Sequence, residues 1–436
     1  MRRDSVDTRP ISIRDSFPAT TRSIVTLLRP LNLELLTLQS QVSAAAARRD
    51  ASGLSAPLTL SGEAEEVPGA AISHAGSLRL DVQQQLWTGT RRGAERAVAD
   101  ADISQARALY AAEELAFTAR IAVLLETLTG GTTIANRLRT EAQLLDDVSR
   151  GIMTRFSVGD ARYVDVLRLR TERLRVMNEL ARVTSETRSA RVALMALTTG
   201  DAKATQELTA HLDQILAKQT DEKGDTSTVE MLPAPPEAAH ALTLSVAVHT
   251  ARADLDRSRA LLTLGSASRR PQVAGSIGVQ RFGDVGRGNA DHHFGIAVAG
   301  SITLPFTART ANQRSAAADQ AQVAAADMRV RDAQATAETQ LTIATNQYLA
   351  ARDRLTAYDL TLLRGSREER SGALHAYRAG TMTLLELLDF ERALVQAETG
   401  YTHARLDAAR AYAGVIAVIT GSNDIVSAFS LGDTRQ

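Results

Sequence analysis

The chain has 436 residues with 50 basic and 50 acidic side chains, so it carries no formal net charge and no general pull toward nucleic acid or anionic lipid. Aromatic residues make up only 4% while alanine is abundant, a balance that suits long packed helices better than an aromatic-rich globular core. The lack of cysteine excludes a disulfide framework, thiolate metal sites, cysteine catalysis and an N-terminal cysteine lipid anchor, and no run of about 20 apolar residues offers a transmembrane helix.

Residues 1–30 carry little pattern and three prolines. Their longest apolar patch, Ile24-Val25 and Leu27-Leu28, is broken by Thr26 and does not read as a secretory signal peptide. A helix is expected over 31–50, with Ser52-Gly53 closing it. After Pro57 the period changes to 2: Leu58, Leu60, Gly62 and Ala64 alternate with Thr59, Ser61 and Glu63. A polar loop leads to a second alternating run, with Leu78, Leu80, Val82 and Leu86 on one side and Arg79, Asp81, Gln83 and Gln85 on the other. These runs predict strands at about 56–66 and 77–87, followed by a helical hairpin over about 88–198. Its first helix would run to about residue 156, and roughly 65 residues at 1.5 Å each span about 100 Å. Gly130-Gly131 is the expected kink. Residues 201–239 are charged, threonine-rich and then proline-rich, and read as a linker with a short helix at 204–218.

The second half repeats the first. A helix over 240–264 precedes strands at about 271–282 and 294–305, which alternate through Val273, Gly275, Ile277 and Val279 and through Ile296, Val298, Gly300 and Ile302. A helical hairpin over about 306–420 follows, and 422–436 form a polar tail. RFSVGDARYVDVL at 155–167 and AYRAGTMTLLELL at 376–388 are one phrase stated twice, offset by 221 positions. Gly159 answers Gly380, Asp165 answers Glu386, and Thr199-Gly200 answers Thr420-Gly421 in the same register. The repeats are therefore 31–200 and 240–421, too few for a solenoid and suited to one unit placed about a pseudo-symmetry axis. Sevenfold rows run along the long helices, such as Leu169, Val176, Val183, Ala190 and Leu197, or Leu387, Leu394, Tyr401, Ala408 and Val415. On the outgoing helix the rows are Ala94, Ala101, Ala108, Leu115 and Ala122, and Ala97, Ser104, Ala111, Thr118 and Leu125. Such rows are the coiled-coil signature, and their small residues let each helix pack on more than one neighbour.

A twofold repeat of helix, strand hairpin, long helix, tight turn and long helix resembles the TolC-type outer-membrane efflux family. The residues that carry the resemblance are LDVQQQLWTGTRRGAERA at 80–97, RFSVGDARYVDVL at 155–167, AYRAGTMTLLELLDFERAL at 376–394 and the two closing Thr-Gly pairs, over a span of 33–421. The resemblance implies a mainly α fold with a small β part. In it a homotrimer closes a 12-stranded β-barrel in outer-membrane lipid, continued by an α-helical barrel in the periplasm. The implied work is passive export of small molecules, ions or proteins, with a periplasmic adaptor (membrane fusion) protein and an inner-membrane pump as partners.

The same resemblance assigns roles to residues near the two turns. Val158, Gly159, Ala379 and Gly380 would form the adaptor-docking tips. Asp389, with Glu386 and Asp165, would line the channel constriction as rings of carboxylates favouring cations. Asp165 and Tyr377 match positions of a latch between helices. Met382 stands where the family has a basic latch partner, and Arg378 or Arg162 is the expected substitute. The few candidates for interfacial aromatic girdles are Trp87, Phe282, Phe294 and Phe306.

Nothing reads as an enzyme. The eight histidines are scattered, the adjacent pair His292-His293 sits in a loop, and no phosphate-cradling or nucleophile-elbow motif occurs. No catalytic residue, cofactor, metal site or nucleic-acid partner is expected. The rival reading is a soluble coiled-coil scaffold without channel activity, which the long helices satisfy and the paired strand hairpins oppose.

Overall fold

The computed structural model describes residues 17–52, 54, 57–65, 77–86, 89–159, 162–221, 238–282, 293–303, 309–379 and 381–421. Expectations for the first 16 residues, the polar loops after the first and third strands, linker residues 222–237, Trp87, Phe306, Gly380 and the tail from 422 lie outside them. In chain order the elements are α1 (Ala19–Leu28), α2 (Leu33–Ala51), β1 (Thr59–Glu65), β2 (Ser77–Leu86), α3 (Gly89–Ser157), α4 (Tyr163–Ala196), α5 (Ala202–Asp221), α6 (Ala238–Leu244), α7 (Val246–Ser268), β3 (Gln272–Phe282), β4 (His293–Thr303) and α8 (Arg309–Ala357). A π-helical turn, Tyr358–Leu363, then leads to α9 (Arg364–Arg378) and α10 (Leu384–Thr420). The chain divides into two units: one drawn from Met1–Gln39, Leu109–Ala247 and Gln334–Gln436, the other from Ser40–Ala108 and Val248–Ala333.

The second unit holds the sheet. Its order is β1-β2-β3-β4, antiparallel throughout, so the hairpins of the two halves join edge to edge through β2 and β3. The register runs Leu60–Val82–Ile277–Val298 across all four strands, and Leu80–Val279–Ile296 across three. Because side chains alternate with period 2, this register gathers the apolar set of every strand onto one face. Among the described residues, β1 and β4 each pair on one side only. The helical parts of this unit are joined by Arg49–Asp100 (3.0 Å), Arg257–Asp102 (3.2 Å) and Arg269–Asp319 (2.9 Å) and by a small core of Leu255, Ala326 and Val330.

Among the described residues the first unit holds helices and turns and no strand. One core packs Phe17 with Ala116, Ala119 and Val123 of α3, Tyr348 of α8 and Tyr412 and Ile416 of α10. Another packs Ile24 and Leu28 of α1, Leu35 of α2, Phe117 and Ile121 of α3, Leu194 of α4 and Leu208 and Leu212 of α5. The stretch that sequence patterning leaves blank before residue 30 therefore contains a docked helix. The helix expected at 204–218 in the linker is longer and packed against the α3–α4 pair. Between residues 112 and 129, α3 is buried on two sides, because these two cores flank it. Of the expected row Ala97, Ser104, Ala111, Thr118 and Leu125, the last two are buried, whereas the first three are exposed in the single chain and Ala112 and Ala116 are buried beside them.

Through Gly130-Gly131, the pair expected to kink it, α3 continues as one helix of 69 residues. The glycines serve close approach. A Cβ at Gly131 would lie 2.3 Å from Thr187 Oγ1 of α4, and one at Gly130 2.9 Å from Thr402 Cγ2 of α10. The irregularity falls in the second copy, at the π turn. There the ring of Tyr358 occupies the space a Cβ on Gly400 would need, 2.6 Å from Cε1. Alanine in an exposed helix interior gains about 1 kcal/mol over glycine, whereas overpacking costs about 1–3 kcal/mol. Gly151→Ala, with open space around it, should therefore raise the midpoint of thermal unfolding, and Gly131→Ala and Gly400→Ala should lower it. Adding Thr187→Ala to Gly131→Ala should recover part of the loss.

Candidate functional site

One functional feature is the face of the sheet. Leu60, Leu80, Leu86, Ile277, Val279, Phe294, Ile296, Val298 and Ile302 are all exposed, the last strand to the extent of 73% for Phe294, 79% for Ile296 and 78% for Val298. The opposite face carries Ser61, Glu63, Arg79, Asp81, Gln83, Gln85, Ser276, Gln280 and Ser301, with Arg79 and Asp81 paired at 2.5 Å. A patch of branched aliphatic side chains this continuous is not stable in water and marks contact with lipid or another protein. An apolar face opposed to a polar face on antiparallel strands is the pattern of a barrel wall between lipid and lumen.

The other feature is the end of the helical hairpins, in the helical unit. Gly159 turns α3 into α4 at φ +82°, a left-handed conformation that a Cβ would strain, and its N–H donates to Phe156 O at 3.0 Å. Val158 beside it is 76% exposed. Phe156 and Tyr163 meet across the turn with ring centroids 5.8 Å apart and their planes tilted by 43°. In the second turn Ala379 N donates to His375 O, and both the N–H and the hydroxyl of Thr381 donate to Ala376 O, each at 3.0 Å. Arg162 precedes α4 as its extended N-cap residue, and Tyr377 lies exposed near the end of α9. The side chains of Asp165 and Arg378 lie outside the described residues.

The predicted carboxylates have distinct surroundings. Glu386 caps its own helix: its carboxylate accepts from the N–H and hydroxyl of Thr383, each at 2.8 Å, while Thr383 Oγ1 accepts from Glu386 N. The Thr383 N–H, with its hydroxyl, holds the Glu386 carboxyl below the usual range. Asp389, one turn on, is exposed and lies 3.6 Å from Arg392. It lines a cleft of about 600 Å³ with Glu141, Glu172, Arg175, Leu145 and Leu388, among others.

Behind these residues stands an ion-pair cluster that the sequence reading did not pick out. The buried Glu391 of α10 accepts from Arg370 of α9 at 2.7 Å and faces Arg137 of α3 at 3.9 Å. Arg137 also reaches Glu398 at 2.6 Å, and Arg392 of α10 reaches Glu172 of α4 at 2.9 Å. Four helices are tied at one level. The signal was present as Glu391 and Glu398 seven apart on α10, with Arg367 and Arg370 on the antiparallel α9, but like-spaced charges on a long helix read first as a solvated face. Hydrogen bonds between charged groups are worth about 1.5–3 kcal/mol. Glu391→Ala should cost about that much in urea unfolding, with Leu387→Ala as a comparison for simple loss of packing.

No protein-family profile matches the chain. Over 268 residues, 61% of this chain, it is 26% identical to the cobalt-zinc-cadmium resistance protein CzcC of Cupriavidus metallidurans, and that match spans 59% of the relative's length. The outer-membrane channel OprN superposes with a TM-score of 0.70 at 20% identity, covering 94% of this chain and 92% of that one. The outer membrane protein VceC of Vibrio cholerae superposes with a TM-score of 0.66 at 15% identity, covering 92% of this chain and 96% of that one. Four strands joined in one antiparallel sheet and a duplicated pair of long helical hairpins thus give this chain the fold of the TolC-type outer-membrane channels.

Proposed function

We propose that the chain is one of three that together form a passive exit duct through the outer membrane. The observation that carries this reading is the exposed apolar sheet face, flanked by two strand edges that pair with nothing among the described residues. Three copies of a four-stranded sheet close 12 strands and leave no edge open. The apolar face then meets lipid and the polar face lines the lumen. The helices form the periplasmic tunnel. Substrate arrives from an inner-membrane pump through a periplasmic adaptor, which docks on the turns at Val158-Gly159 and Ala379-Gly380. Asp389, exposed at the mouth of its cleft, forms the carboxylate ring of the constriction, with Asp165 near it. Glu386 supports it by capping α10. Tyr377, Arg378 and Arg162 are the latch candidates. A coiled-coil scaffold, the rival reading, has no use for an apolar sheet face.

The likeness to a protein named for cobalt, zinc and cadmium resistance favours divalent cations among the candidate cargoes. Among the described residues no three His, Asp or Glu side chains are grouped to hold a metal ion.

Two measurements test the duct. An arginine at the bilayer midplane of a lipid-facing strand costs about 2–4 kcal/mol. Expressed behind a known export signal, Ile277→Arg should lose most of its outer-membrane fraction, while Ser276→Lys on the other face should keep it. Equal tolerance at both positions would contradict the assigned faces. In planar bilayers Asp389→Ala should weaken cation preference and block by divalent cations, and unchanged values for both would sink the ring.

A further inference from the structure

Within the ion-pair cluster one carboxylate stands apart. Glu172, Asp389, Glu391 and Glu398 each have a guanidinium within 4 Å: Arg392 for the first two, Arg370 and Arg137 for the third, Arg137 and Arg367 for the last. Glu141, on α3 one turn after Arg137, lines the cleft between these residues. Its Oε2 is shut off from solvent and accepts no hydrogen bond. The groups facing it are Arg137 from its own helix, Glu172 with Arg168 and Arg175 from α4, and Asp389, Glu391 and Arg392 from α10. Arg370 of α9 stands behind Glu391.

Burial pushes the Glu141 carboxyl up to about 7; Arg137 and Arg392 pull it down, and Glu172 and Glu391 push it further up. The charges around Glu141 nearly balance, and the cost of ionising it comes mainly from lost hydration. A neutral carboxyl leaves both guanidiniums to their present partners. An ionised one adds a negative charge between Glu172 and Glu391, within reach of the two arginines that hold them.

We propose that Glu141 is a proton-operated release for the ties between α10 and the α3–α4 pair: when neutral it leaves Arg137 and Arg392 on Glu391, Glu398 and Glu172, and when ionised it competes for both and loosens those ties. The bearing on transport rests on the duct reading, since the loosened helices would be those of the periplasmic entrance; the structural claim does not.

The linkage has a definite sign. A carboxyl raised in the folded state holds its proton where the unfolded chain has lost it, so stability falls as pH rises from the ordinary carboxylate range through about 7, and the loss is complete above that. The test is hydrogen exchange on the full chain as purified in detergent, at about pH 6 and about pH 8, corrected for intrinsic exchange rates. In the wild type, protection of α9 and the first turns of α10 should fall about threefold or more at the higher pH, with the α1–α5 core unchanged. Glu141→Gln, an isostere of the neutral acid, should match the wild type at the lower pH and keep that protection at the higher. A pH-insensitive wild-type tip would overturn the proposal. So would a variant that shifts protection equally at both pH values, which would reveal a purely structural role. Neither outcome involves conductance, so each is separate from failure of the duct reading.

Discussion

A row such as Leu60, Val82, Ile277 and Val298 cannot be left in water, and the edges of β1 and β4 cannot be left unpaired among apolar side chains. These two demands are linked. If the face meets hydrocarbon, each backbone amide and carbonyl at the edges must find a partner, because lipid supplies none. Closure into a barrel meets both demands at once, and a sheet of four strands is too narrow to close on itself. On the proposed duct reading, further copies of the chain supply that closure. The polar face, with Arg79 beside Asp81, is acceptable only where water reaches it, which a closed lumen provides.

The helices obey a different constraint. Helices with few aromatic residues gain little from each contact, so they gain by approaching closely and on several sides. Gly130 and Gly131 show this directly: α4 comes in over one and α10 over the other. The cost of such small seams is a shortage of side chains that fix register. Charged pairs fill that role here, with Arg405–Glu126 at 2.7 Å on one level and the Glu391 cluster on another. A buried ion pair is weak as a source of net stability but strict about geometry, because leaving one partner alone is costly. Placed near the turns, such pairs set how firmly the two hairpins hold together.

Much of this was legible in the sequence. Period-2 alternation located the apolar sheet face, since side-chain direction in a strand follows directly from position. The 221-residue offset located the turns and the closing Thr-Gly pairs, and Gly200 and Gly421 both take positive φ. What failed did so for physical reasons. The close approach at Gly130-Gly131 was not legible, because a glycine's lost propensity is visible in one helix whereas the neighbours that need its bare surface, Thr187 and Thr402, are distant in sequence. The helix α1 was missed because it is only ten residues long and one of its three buried positions, Thr21 beside Ile24 and Leu28, is polar. Glu386 was legible as a first-turn acid, but its capping role depends on Thr383, three residues earlier. Glu141 was invisible: nothing local distinguishes it from the other exposed-looking acids of α3, and its character arises from α4 and α10 closing over it.

The account stands or falls on whether three chains close one barrel in the membrane. Native mass spectrometry of the protein extracted from outer membranes, after export behind a known signal, tests this most directly. The account predicts a mass of three chains, recovered from the membrane fraction. A monomer or dimer recovered from the soluble fraction despite export would contradict it, because the apolar sheet face would then be covered by something other than lipid and the strand edges by something other than two further copies.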